Sequence, residues 1–572
     1  MLIRRFHAFN LAFFVLGAAL AFALLAGCGN TTTSNSTSGS TNNSSSSSVV
    51  GCGTKVSPTS SLAASSIDVV TYHYDNLRTG QNTSETILTP ANVNSVQFGK
   101  LGEFTVVGKV DAQPLYLSNL SITGLGMKNV LYVATEHGCV YAFDADSISG
   151  STSKFLWATS TQMPGEVPSD DRGCGQVTPE IGITSTPVID RKRGAIYVVA
   201  VSKNSSGNYI HRLHALDLTT GAELFGGPTT ITASYPGTGA GSSGGNVMFD
   251  PSEYNERPGL LELNNTIYTT WGSHCDIGSY TSWVMAFSAD TLKQTSVLNL
   301  TPNGSDGGIW MSGTAPAADA SGNVYFILGN GTFDTTLNPA GFPLRGDCGN
   351  CFAKLASTLP LTLVDYFTPT NTVMLSNNDL DLGSGGPLLL PDLVDGTGAT
   401  RHLAVASGKN NPTIYVLDRD NMGKFNAGTD QIYQEIPSEI PSAGEFGKPS
   451  YFNNTVYYGA VGDRLKAFPI ANGKLATTPS SQSSATFGYP GTTPSISANS
   501  TTSGIVWAVE NGGTGVLHAY DATNLGRELY NSGQAANGRD QFGGNKFITP
   551  MVANGRVYVG TPTSVAVFGL LP

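Results

Sequence analysis

Charge is the first thing this sequence lacks. Only 12% of its 572 residues are Asp, Glu, Lys or Arg, and the formal net charge is −11. No run of Lys or Arg exists to neutralise phosphates, which excludes nucleic acid as a partner. Long helical periodicity is missing throughout, which excludes a helix bundle. Zinc-cage spacing is missing too. Of seven cysteines, Cys348 and Cys351 form the one Cys-x-x-Cys pair, and no second pair stands at ligand spacing. Phe352 occupies the place where haem attachment needs His.

A long apolar run occurs once. Arg4 and Arg5 give a positive start, Leu11 to Leu25 is almost uninterruptedly apolar, and the run ends in Leu25-Ala26-Gly27-Cys28. That tetrad resembles the lipobox of bacterial lipoproteins. The resemblance implies a signal peptide over 1–27 and acylation of Cys28, with the membrane as partner through the lipid. Gly29 rather than Asp follows the cysteine, which by the same resemblance favours the outer membrane, facing periplasm or exterior. Residues 31–48 are almost all Ser, Thr, Asn and Gly. Such a composition buries too little apolar surface to offset its ordering entropy, so 28–66 reads as a disordered tether.

Gly is abundant, 68 of 572 residues, and short β-branched and aromatic runs bounded by Gly, Asn and Pro recur in register. These are strand and turn signals. Each unit opens near a proline: Pro114, Pro187, Pro258, Pro316, Pro387, Pro449, Pro494 and Pro550. A second strand follows, as in Val130-Leu131-Tyr132-Val133, Ala195-Ile196-Tyr197-Val198 and Arg556-Val557-Tyr558-Val559. Leu403-Ala404-Val405-Ala406 fills this place in the least regular unit. The pattern predicts an all-β fold over 67–572, an eight-bladed β-propeller of four-stranded antiparallel blades; a β-sandwich array is the alternative. The last unit has room for three strands, so a segment before Pro114, around Phe104 to Val107, is expected to supply the fourth. For the cysteines, Cys348 reads as paired with Cys351 in a local loop, and Cys139 with Cys174 between the first two units.

At three stretches the residues are similar to the quinoprotein alcohol dehydrogenase superfamily, whose propellers hold pyrroloquinoline quinone (PQQ) and calcium. They are Gly322 to Asn330 after Trp310, then Gly346-Asp347, then Gly408-Lys409 with Tyr415-Val416-Leu417-Asp418-Arg419. The resemblance implies that Trp310 lies under the quinone and Lys409 contacts it. It implies that Asp276, Asn330 and Asp381 bind the metal, with Asp381 also the catalytic base. Those residue types suit the chemistry. A hard cation takes oxygen ligands, and an aspartate can remove a hydroxyl proton during hydride transfer.

The departures from that pattern bear on function. The family's adjacent cysteine pair is absent, with Gly173-Cys174 in its place; Leu380 replaces the tryptophan before the catalytic aspartate. Asp276 stands where the family has Glu, and most of the tryptophans that dock one blade on the next are gone, Trp157 being the clearest that remains. They favour a propeller that kept the fold and became a non-enzymatic module binding an envelope protein or a small molecule. The alternative is a PQQ- and calcium-dependent dehydrogenase of alcohols or sugars.

Overall fold

The computed structural model describes residues 48–49, 51–54, 62–148, 155–409 and 411–572. The expected signal peptide, Cys28 and most of the expected tether lie outside the described residues.

The larger sheets follow one another along the chain, each built on four antiparallel strands, with two two-stranded sheets and one three-stranded sheet beside them among the described residues. The first contains Leu115–Ile122, Gly126–Ala134, Cys139–Asp144 and Phe155–Ser160. The next six open on Val188–Asp190, Leu261–Leu263, Ala317–Ala318, Leu388–Leu389, Ser450–Phe452 and Ser495–Asn499. The eighth sheet contains Met551–Ala553, Arg556–Gly560 and Ser564–Leu570. Seven of the opening prolines stand immediately before a first strand, and Pro258 stands three residues before one. Lacking an N–H, proline fits a strand entry better than a strand interior.

The fourth strand of the eighth sheet comes from far upstream. Phe98–Thr105 pairs with Ser564–Leu570, in register from Phe98↔Leu570 to Thr105↔Ser564. It begins six residues before the expected Phe104. Phe98 and Phe104 anchor this strand: both are buried, as is Gly99, while residues 100–103 are more exposed.

Side chains of each sheet pack against those of the next. Leu117 and Trp157 of the first sheet share an apolar cluster with Val198 and Leu216 of the second. The series ends where it began, with Tyr558 and Val567 of the eighth sheet in one cluster with Tyr116 and Tyr141 of the first. Trp157 bridges two sheets through its indole N–H, which donates to the Leu218 carbonyl at 2.9 Å. Gly221 makes room for it: a Cβ there would sit 2.5 Å from the ring, and its φ is +73°.

The segment from Val69 to Glu85 runs across the first strands of successive sheets. Carbonyls of Val69, Val70, Asn76, Leu77, Thr79 and Gly80 accept from N–H groups of Tyr116, Ile189, Ala318, Leu389, Tyr451 and Ile496. Arg78, fully buried, donates to the carbonyls of Pro316 and Tyr72 at 2.8 Å. Lys448, also fully buried, donates to the Arg78 carbonyl and contacts His73 Nδ1 at 3.1 Å. One chain segment thus ties most of the sheets together along their first strands.

The disulfides require a correction. Cys348 joins Cys351, but Cys139 joins Cys52, and Cys174 joins Cys275. Closeness along the chain misled the pairing, because the loops holding Cys174 and Cys275 meet only after the sheets are packed. Residues 48–49 and 51–54 also depart from a free tether. Ser48–Val49 pairs with Gly53–Thr54, Cys52 is buried, and Tyr141 donates its hydroxyl to the Cys52 carbonyl at 3.0 Å.

Candidate functional site

Loops at one end of the sheets enclose a cavity of about 280 Å3, lined by Asp276, Trp310, Asn330, Asp381 and Lys409 among others. These five residues come from three sheets. Asp276 follows the strand Thr266–Ser273, and Trp310 lies between the third and fourth sheets. Asn330 follows Val324–Ile327, Asp381 precedes the fifth sheet, and Lys409 follows Leu403–Gly408.

Local chemistry fixes each one. Trp310 fits because two glycines face it. A Cβ at Gly272 would lie 2.8 Å from the Trp310 Cβ, and one at Gly329 would lie 3.1 Å from its Nε1. Cys275 and Asp276 both adopt left-handed backbone, with φ of +56° and +52°. Such strain in non-glycine residues is held only by surrounding contacts. Here the disulfide to Cys174 holds Cys275, and the Ser273 hydroxyl donates to Asp276 Oδ1. Cys275 itself lines the cavity.

Asp381 is the most buried acid of the group, 3% exposed. Its Oδ1 accepts the Asn330 backbone N–H at 2.6 Å, and its Oδ2 lies 3.8 Å from Lys409 Nζ. Burial pushes its carboxyl up to about 6; Lys409 and the Asn330 N–H pull it down, while Asp379 and Asp276 push it further up. Lys409 pairs more closely with Asp379, at 2.7 Å, and its backbone N–H donates to the Asp381 carbonyl at 2.7 Å. Asn330 Nδ2 reaches Asp379 Oδ1 at 3.4 Å. Beside them, burial and the neighbouring Asp276 raise the Tyr280 hydroxyl well above its ordinary value.

Sequence reasoning missed the other half of the wall. Arg257, Phe446, Tyr489 and Phe547 line the same cavity. Phe446 lies 6.0 Å from Trp310 and 5.3 Å from Tyr489, which lies 6.1 Å from Phe547. A signal was available, since Arg257, Phe446 and Phe547 stand one to three residues ahead of opening prolines.

Among the described residues no three His, Cys, Asp or Glu side chains gather as a metal cage. The available cation donors are two carboxylates and an amide, from Asp276, Asp381 and Asn330.

No family model matches the chain, and no curated protein matches it by sequence. Solved structures do. Quinohemoprotein alcohol dehydrogenase ADHIIG from Pseudomonas putida HK5 aligns with a TM-score of 0.56 and 13% identity, covering 88% of this chain and 80% of that one. Quinohemoprotein alcohol dehydrogenase from Comamonas testosteroni gives 0.56 and 16% over the same shares. A europium-containing methanol dehydrogenase gives 0.55 and 12%, over 88% of this chain and 98% of its own. The fold is a β-propeller similar to that of these dehydrogenases. Identities this low speak for fold alone, and chemistry has to be argued from the cavity.

Proposed function

We propose that the chain is an eight-bladed propeller whose axial cavity binds PQQ with one hard cation and oxidises an alcohol or sugar hydroxyl there. One observation carries the reading: Asp276, Asn330, Asp381, Lys409 and Trp310 come from separate loops yet line a single cavity. The eight-blade count is supported by eight four-strand meanders whose apolar clusters run from each sheet to the next and from the last to the first.

The residues fit the cofactor. Trp310 offers an aromatic face for stacking. Oxygens of Asp276, Asn330 and Asp381 would hold the cation, with its remaining coordination open to cofactor and solvent oxygens. Lys409 would face the quinone from the fifth sheet. When bound, the group accepts hydride while the cation polarises its carbonyl.

Asp381 takes the hydroxyl proton. The Asn330 N–H fixes Oδ1 and leaves Oδ2 for the substrate. A carboxyl near 6 is mostly ionised at neutral pH yet more basic than an ordinary aspartate, which suits a general base. Tyr280, kept protonated by burial, keeps a hydroxyl donor beside Asp276.

A second reading is favoured by Lys409. Its ion pair with Asp379 and its approach to Asp381 already offset part of the negative charge on the acidic side, as suits a module that binds a small molecule without turning it over. One titration separates the readings. PQQ and calcium are added to the soluble domain, quinone absorbance is followed, and turnover of alcohols and sugars is then assayed with an artificial electron acceptor. A shift with turnover supports the dehydrogenase, a shift without turnover supports the binding module, and no shift refutes the cofactor reading.

On the motif Leu25 to Cys28 we extend the proposal to an envelope lipoprotein, cleaved after residue 27 and acylated on Cys28. Replacing Cys28 with Ala should abolish detergent-phase partitioning and leave the folded part unchanged; partitioning that survives refutes the anchor.

A further inference from the structure

The stretch Leu417-Asp418-Arg419 leads away from the axial cavity, to the opposite end of the same strands. Asn330 follows the strand Val324–Ile327 and lines that cavity, while Asn323 precedes the strand. Lys409 likewise follows Leu403–Gly408, whereas His402 precedes it and Asp418 pairs with Leu403. At this second end lies a hollow of about 430 Å3, lined by Leu77, Asp319, Lys354, Leu390, His402 and Arg419 among others. Its volume falls within the range of small-molecule sites. Buried Leu390, with half-buried Leu77 and Pro391, gives it an apolar surface.

Two pairs of polar groups stand in this hollow just out of reach of one another. Arg419 is 5% exposed, and its Nε and Nη2 donate to the carbonyls of Leu403 and Leu390 at 3.2 Å each. Its Nη1 lies 3.8 Å from Asp319 Oδ2, too far for a hydrogen bond. Burial would raise the Asp319 carboxyl, but hydrogen bonds from Asn323 and Tyr325, with the Arg419 charge, hold it below its ordinary value. A donor and an ionised acceptor thus face each other across a gap. One hydroxyl fills such a gap, accepting from Nη1 and donating to Oδ2. The second pair is at the rim. His402 Nδ1 lies 2.8 Å from Asp420 Oδ2, so the neutral ring carries its hydrogen there and leaves Nε2 as an acceptor. Nε2 is 3.7 Å from Asp392 Oδ1, and two acceptors side by side call for two hydroxyl donors. Lys354 donates to the Arg419 carbonyl at 2.7 Å and has two further N–H donors.

Charge and shape narrow the ligand. Asp319, Asp392 and Asp420 outnumber the cations Lys354 and Arg419, so no positive surplus awaits a phosphate or carboxylate. No Phe, Tyr or Trp lines the hollow to stack a planar base. A ligand rich in hydroxyls, each both donor and acceptor, with a C–H face for the leucines, meets every one of these conditions.

We infer that this hollow is a binding site for a neutral saccharide, separate from the axial cavity. Arg419 and Asp319 share one hydroxyl, His402 and Asp392 take two neighbouring ones, and the C–H face of the sugar ring lies on Leu390. The site is independent of what the axial cavity holds.

The test titrates the full chain with glucose, galactose, mannose, N-acetylglucosamine, maltose and cellobiose, read by saturation-transfer NMR and calorimetry, with inorganic phosphate as competitor. At least one saccharide should bind, and phosphate should not displace it. Asp392→Asn and His402→Ala, both at the rim, should each weaken it about five- to tenfold, the range of one lost hydrogen bond. Arg419→Gln should abolish detectable binding; since Arg419 also holds two carbonyls, the rim variants keep the test open if it does not fold. Trp310→Ala, in the axial cavity, should leave the affinity unchanged. No binding across the panel, or equal affinity in both rim variants, overturns the site. Affinity lost in Trp310→Ala and kept in the rim variants moves the saccharide to the axial cavity and overturns it as well. Displacement by phosphate overturns the ligand class.

Discussion

The backbone N–H of Asn330 donates to Asp381 Oδ1 at 2.6 Å, tying the loop after a fourth-sheet strand to the loop that enters the fifth sheet. The bond aims a buried carboxyl into the cavity and leaves its other oxygen toward Lys409. Position and basicity of Asp381 are thus set together.

Replacing Asp381 with Asn should abolish turnover and preserve PQQ binding, since the base is lost while Trp310 remains. The same change should raise stability at neutral pH. Burial keeps the folded carboxyl near 6 against an ordinary 3.8, so the folded state holds its proton longer and stability falls as pH rises from about 4 to 6. Asn removes that slope, a gain of up to about 3 kcal/mol at pH 7. Urea melts at pH 4 and 7 check this; equal stabilities of the two proteins at pH 7 would show that the carboxyl is not perturbed.

The repeat was legible because strand entry, turn and inward-facing tyrosine recur on a fixed plan, and proline marks each entry for a steric reason. Asp276, Asn330 and Asp381 were legible only through resemblance, since loop residues carry no periodicity of their own. Arg257, Phe446 and Phe547 stand just ahead of opening prolines, and they escaped because a proline marks a strand entry without showing which entries meet at one cavity. Packing of successive sheets decides that. The same reason explains Cys174, whose partner Cys275 lies 101 residues away but in a loop at the same end of the next sheet. Composition misjudged Cys52, since a polar stretch can still be pinned by one covalent bond.

Closure of the ends can be tested at Phe98. It is fully buried on the upstream strand, 5.4 Å from Trp507 and 4.9 Å from Tyr530. Phe98→Ala should cost about 3–5 kcal/mol, as large core truncations do. Deleting Ser564–Leu570, its partner strand, should prevent cooperative unfolding altogether by baring strand edges. A truncated protein that melts like the full chain contradicts the closure.

Cys52→Ser should loosen residues 51–54 and leave the cavity unchanged. The crosslink to Cys139 closes an 87-residue separation, for which chain entropy gives on the order of 4 kcal/mol. A lower melting temperature is expected, with the Cys52→Ser/Cys139→Ser double variant matching the single one and the response to PQQ and calcium unaltered. Full stability in the variant would show that the bond does not constrain the folded unit.

Glu445 gives the clearest pH signature outside the cavity. It precedes Phe446 of the cavity wall, is 1% exposed, and neither carboxyl oxygen has a hydrogen-bond partner among the described residues. Ser407 Oγ and Tyr458 OH are likewise buried and unpartnered. Burial pushes the carboxyl up to about 8, relieved slightly by the Gly447 N–H and reinforced by Asp463. The folded state therefore keeps this proton through neutrality, whereas an unfolded glutamate loses it near 4.5. Stability must then fall as pH rises from about 4.5 to 8 and level off above. Glu445→Gln preserves shape and removes the titration. It should match wild type at pH 4.5 and exceed it at pH 8 by up to about 4 kcal/mol. Other buried acids, such as Glu256, slope in the same direction, so the difference between variant and wild type is the quantity to read. If that difference stays constant from pH 4.5 to 8, Glu445 titrates as an ordinary carboxyl, and the wall behind Phe446 is wetter than its burial indicates.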